Sequence, residues 1–142
     1  MRLSSGGTTA NISTKLSSRK EKGKRLERLI AQRINDVLGG YGVTAKRMIM
    51  SGAIAGWKGD VFVDGLPVSI EAKNQEKINI WECWDQAESQ AGLGKMAVLV
   101  FSRNFNKDPL TVIRFEDLLT LFELAIQAGW VSHIRKGRRT IL

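Results

Sequence analysis

The chain contains one cysteine, Cys83, one histidine, His133, one tyrosine and two prolines in 142 residues. A lone cysteine excludes an intramolecular disulfide and a multi-cysteine zinc site. It suits a reducing compartment, the cytoplasm. No apolar run approaches the roughly 18 residues of a membrane-spanning helix, and no secretory signal pattern opens the chain. Acidic residues are also few. Fourteen Asp and Glu face 22 Lys and Arg, for a formal net charge of +8 and a pI near 10.0. So small and basic a chain is expected to meet a polyanion, with nucleic acid ahead of an anionic membrane or of charge kept for solubility.

The rest of the composition is ordinary: 43% hydrophobic and 25% charged residues predict one globular core. Residues 1–17 are rich in Ser, Thr and Gly and lack apolar periodicity, which predicts a flexible basic arm ahead of a single domain over 18–142. Residues 1–30 hold eight Lys or Arg and two Glu, and the tail adds Arg135, Lys136, Arg138 and Arg139. Basic ends around a mixed-charge middle suit a grip on a phosphate backbone.

Periodicity divides the domain. Leu26, Ile30, Ile34, Val37 and Leu38 recur at helical spacing, which predicts a helix from about Arg19 to Leu38, stopped by Gly39-Gly40. This stripe lacks the broad aromatic or leucine-rich face of a membrane-surface helix. Strands are expected over Val43–Met50, Asp60–Val63, Leu66–Lys73, Met96–Phe101 and Thr111–Arg114, with helices over Ile80–Ala91 and Phe115–Ala128. The second helix carries Trp81, Trp84, Ala87 and Ala91; the third is expected to turn Leu118, Leu119, Phe122 and Ile126 inward. Residues 131–142 read as a final hairpin. The order predicts a mixed α/β domain around a central sheet.

Asp64-Gly65 signals a two-residue hairpin turn. It would place Val61 opposite Val68 and Asp60 opposite Ser69. Side chains alternate faces, so Val61, Val63, Leu66, Val68, Ile70 and Ala72 share a core face, and Asp60, Ser69, Glu71 and Lys73 share the other. A polar strand face is ordinarily a solvated one. Here it sets Asp60 diagonal to Glu71, with backbones roughly 7–8 Å apart. Two carboxylates so placed can converge on a hard cation such as Mg²⁺. Lys73 points the same way, where an ammonium can orient water or offset developing phosphorane charge. At about 100° per residue, Glu27 falls between Ile34 and Leu38 on the helical wheel. A carboxylate there needs a partner: a neighbouring basic residue, a metal ion or Lys73.

Asp60…Glu71-Ala72-Lys73, on this element order, resembles the catalytic motif of the PD-(D/E)XK nuclease superfamily. More narrowly, KGKRLERLI at 22–30, SG at 51–52, GDVFV at 59–63, SIEAK at 69–73 and Gln86 resemble archaeal-type Holliday junction resolvases. The resemblance spans about residues 18–101; Gly59 stands where the superfamily often has proline. It implies an αβββαβ core with a mixed central sheet flanked by helices. It further implies Mg²⁺, with Mn²⁺ able to substitute, bound by Glu27, Asp60 and Glu71. Lys73 would support the attacking water, Ser51 would lie near the scissile phosphate, and Gln86 would face the site. Arg19, Lys20, Lys22, Lys24, Arg25, Ser51, Lys58, Arg138 and Arg139 are the expected DNA contacts. The implied partner is a DNA four-way junction, cut by a homodimer into 5′-phosphate and 3′-hydroxyl ends in a prokaryotic cell or a phage-infected host. Two alternatives remain open: a nuclease for duplex ends, flaps or restriction-type sites, and a non-catalytic DNA-binding protein on this fold. Cys83 and His133 read first as structural residues, and Trp81 and Trp84 as core, with a dimer surface or a base-stacking platform as the alternative; Trp57 reads equally as a loop anchor or a stacking group.

Overall fold

A computed structural model describes residues 7–49, 59–104 and 108–130, with side chains from residue 19 onward. The chain divides into two compact units, Met1–Val112 and Ile113–Leu142. The first holds helix α1 (Gly7–Leu38), a 3-10 turn (Gly39–Tyr41), strands β1 (Thr44–Arg47), β2 (Val61–Asp64) and β3 (Val68–Asn74), helix α2 (Ile80–Ala91), and strands β4 (Met96–Ser102) and β5 (Leu110–Val112). The five strands form one sheet in the order β1-β2-β3-β4-β5. Only β3 and β4 run parallel, because α2 carries the chain back between them. The other pairs are antiparallel. This is the expected α/β architecture, an αβββαβ core with a mixed sheet.

The two faces of the sheet take different helices. Leu26, Ile30 and Ala31 of α1 are buried against Val43, Ala45, Val61, Val63, Ile70 and Val100. Removing a Leu or Ile side chain of this kind from water contributes roughly 1.5–3 kcal/mol. Val37, expected in that stripe, is exposed in the last turn. On the opposite face Cys83 and Ala87 of α2 are buried with Leu99, and Trp84 and Phe101 pack around them. Burial pushes the Cys83 thiol pKa up, as befits a packing residue. Trp81 projects outward and is 79% exposed, so it does not belong to the core.

Helix α1 starts well before the expected Arg19. Residues 7–38 contain no proline, so a helix nucleated on the amphipathic stretch meets no backbone block as it extends toward its N-terminus. β1 is an edge strand, and Asn35 of α1 closes its edge. The Asn35 amide donates to Ala45 O at 2.9 Å and its Oδ1 accepts from Ala45 N–H at 2.7 Å.

The β2–β3 hairpin is longer than expected. Val61 pairs with Ile70, not Val68. The connection covers Gly65, Leu66 and Pro67, because Pro67 has no N–H for a ladder there. Leu66 is therefore exposed, outside the core face expected for it. Gly65 has φ +97°, and a Cβ there would lie 3.0 Å from Gly42 O. The turn needs glycine for both its backbone angle and its space.

The second unit holds helix α3 (Phe115–Gln127). None of its residues is buried; Leu119, Phe122 and Ile126, expected inward, keep 40–54% exposure. Within the unit, Phe122 stacks on Trp130 with ring centroids 5.7 Å apart. The expected hairpin over 131–142 lies outside the described residues.

Candidate active site

Asp60 immediately precedes β2 and is clamped through its backbone. Its N–H donates to Ile70 O, and its C=O accepts from Met48 N–H, both at 2.9 Å. Its side chain continues the ladder: Oδ2 accepts from Ala72 N–H at 2.8 Å. Asp60 thus grips β3 on both sides of Glu71, through its N–H at Ile70 and its carboxylate at Ala72, and the two acids are neighbours across the strands, closer than the expected diagonal.

Glu71 and Ser69 are each only 4% exposed, so the polar face of β3 is not a solvated one. α2 packs over that face, and Leu99 stands beside Glu71 in the parallel register. Lys73 Nζ lies 3.2 Å from Glu71 Oε1. The Glu71 pKa is pushed up to about 7. Burial is the main cause, and the adjacent Asp60 charge and a hydrogen bond to its carboxyl add to it; Lys73 opposes the rise. Two acids crowded in this way offer only oxygen ligands and repel each other. That donor set fits a hard divalent cation, which would relieve the repulsion.

Glu27, half-buried on α1, finds the partner its position demands. Its Oε2 lies 3.4 Å from Arg47 Nη1 of β1. Burial first, then the Asp60 charge, raises its pKa, while Arg47 opposes the rise. Among the described residues no three His, Cys, Asp or Glu side chains form a metal-sized cluster. The site therefore consists of an Asp60–Glu71 pair with Lys73, and of Glu27 held to one side by Arg47. Arg47 was not legible in the sequence, since its partner lies twenty positions away on another element.

Of the other expected residues, Arg19, Lys20, Lys24 and Arg25 are exposed along α1, and Lys22 is partly buried. Asn74, just past Lys73, donates from Nδ2 to Lys22 O at 3.2 Å and ties α1 to the end of β3. Gln86 is exposed on α2. Ser51, Trp57, Lys58, His133, Arg138 and Arg139 lie outside the described residues.

An αβββαβ core that brings an aspartate, a glutamate and a lysine to one end of adjacent strands defines a PD-(D/E)XK nuclease-like protein. The family model described as "Phage putative PDDEXK endonuclease" matches residues 18–135, and the chain belongs to that family. No curated protein and no solved structure matches the chain. Among the described residues no helix is long and apolar enough to cross a membrane.

Proposed function

We propose that the chain is a divalent-metal-dependent endonuclease that resolves DNA four-way junctions by paired phosphodiester hydrolysis. The observation that carries this reading is the buried Glu71 held against Asp60 and Lys73 at the end of β3. The family and the +8 charge support nuclease action on DNA. The choice of a four-way junction rests on the resemblance of residues 22–30, 51–52, 59–63 and 69–73 to archaeal-type resolvases.

Asp60 and Glu71 would hold Mg²⁺, with Glu27 assisting and Mn²⁺ able to substitute. When bound, the ion would supply Lewis acidity toward the phosphodiester and a more acidic water. Asp60 presents a carboxylate whose orientation is set by the Ala72 N–H. Glu71 brings an acid that α2 and the sheet shield from bulk water. The Lys73 ammonium orients the attacking water and offsets charge developing on the phosphate. Ser51 is proposed to lie beside the scissile phosphate, and the basic residues of α1, Lys58 and the C-terminal arginines to hold the backbone. Residues 18–142 would act as one nuclease domain in the cytoplasm, with 1–17 as a basic arm whose part from Gly7 onward belongs to helix α1.

A four-way junction has two-fold symmetry, and two matched cuts need two sites. A C2 homodimer answers that need. Cleavage of a four-way junction and of a matched linear duplex, with and without Mg²⁺, tests the proposal. Metal-dependent, paired cuts confined to the junction are expected. Equal cutting of the duplex would overturn the junction assignment, and no cutting of either would overturn the nuclease reading.

A further inference from the structure

Past Lys73, the end of β3 and residues 19–23 in the middle of α1 border a cleft of about 590 Å³. Arg19, Lys22 and Lys77 line it, beside Lys73, whose charge is already paired with Glu71, and the lining carboxylate is Glu76. Such a balance selects an anion. The wall also carries the carboxamides of Gln75 and Asn104, each with donors and an acceptor. Asn74 fixes this wall in place through its bond to Lys22 O. The Gln75 backbone is fixed as well, its N–H donating to Ser102 O at 3.0 Å. The cleft is therefore built on the same strand end that carries the catalytic lysine, and not on a free loop.

Its size narrows the ligand. The volume lies within the roughly 300–1,000 Å³ of sites that enclose one drug-sized ligand. A single nucleotide is of that class, whereas a base pair with both its backbones is not. Cations suit the phosphate, and carboxamides suit the hydrogen-bonding edge of a base.

We propose that this cleft is a subsite for one unpaired nucleotide flanking the scissile phosphate. Arg19, Lys22 and Lys77 take its phosphate, and Gln75 and Asn104 contact its base. The proposal rests on the nuclease reading and deepens it: the enzyme selects DNA in which a strand leaves the duplex beside the cut. Preference for branched DNA then resides partly in this cleft and not only in the shape of a dimer.

The test separates binding from cleavage. Two fluorescent duplexes of equal length are used, one fully paired and one with a single unpaired nucleotide. Their dissociation constants are measured by anisotropy in EDTA for the wild type and for Lys77→Ala/Asn104→Ala. Both residues line the cleft, and a melting curve confirms that the variant folds. The wild type is expected to favour the unpaired-nucleotide probe by about tenfold, the size of one specific base contact. The double variant should bring that preference close to unity. Equal affinity of the wild type for both probes, or an undiminished preference in the variant, would overturn the subsite. Cleavage is scored separately with Mg²⁺. A wild type that keeps the binding preference but cuts neither probe nor a four-way junction supports the subsite and counts against the nuclease reading. Junction cleavage without the preference does the reverse.

Discussion

Replacing Glu71 by Gln removes a charge from a nearly closed site while keeping the side chain's shape. In the folded protein the Glu71 pKa is about 7, against an ordinary 4.5. The folded state thus binds a proton more tightly than the unfolded chain, and stability falls as pH rises through that window. Below about pH 4.5 both states are protonated and the group costs nothing. Above about pH 7 both are ionised and the folded state bears the full penalty, which at about 1.4 kcal/mol per pH unit comes to about 3 kcal/mol. The amide introduced by Glu71→Gln stays neutral at every pH, and its NH₂ can donate to Asp60 while its carbonyl accepts from Lys73. Chemical denaturation in EDTA at pH 5 and pH 8 measures the effect. The wild type should lose stability over that interval, and Glu71→Gln should lose about 2.5 kcal/mol less, since the unfolded chain is already mostly ionised at pH 5. Millimolar Mg²⁺ at pH 8 should stabilise the wild type and leave the variant nearly unchanged, since a ligand of the folded state adds stability by mass action. Parallel pH profiles for the two proteins would refute the crowded-carboxylate account.

Asp60→Asn should abolish cleavage while DNA binding persists or tightens, because a carboxylate that repels phosphate is gone; a gel assay with Mg²⁺ that shows near wild-type cutting would remove Asp60 from the site. Gly65→Ala should lower stability by roughly 1–3 kcal/mol, from a positive φ and the close Gly42 carbonyl; an unchanged urea midpoint would contradict the turn. Leu99 is fully buried and Trp81 is 79% exposed. Leu99→Ala should therefore cost roughly 2–5 kcal/mol, while Trp81→Ala should stay within about 0.5 kcal/mol, both read from denaturant midpoints.

The alternation of Val61 with Val63 and of Ser69, Glu71 and Lys73 was enough to assign the strand faces. The observed pairing differs from the hairpin expected from Asp64-Gly65 by two positions, and a shift of two leaves every side chain on its original face. Asp60, Glu71 and Lys73 were therefore legible together although the register was not. Element type followed from the same local periodicity: α2 runs over Ile80–Ala91 as read, and β4 extends the expected strand by one residue, to Ser102. Residue contacts over long range settled the rest. The pairing depends on Pro67, on the Asp60 bond to Ala72 N–H and on the close approach of Gly65 to Gly42, and none of these has a sequence period. Glu27 needed a partner on any reading, but only the packing of α1 across β1 chose Arg47. Ser69 and Glu71 read as a polar face and became buried because α2, joined to β3 by a crossover, folds back over them. Trp81 and Trp84 share a helical stripe, yet only Trp84 meets the sheet. Periodicity records which residues lie on one side of an element; burial and charge pairing depend on what the rest of the chain places against that side.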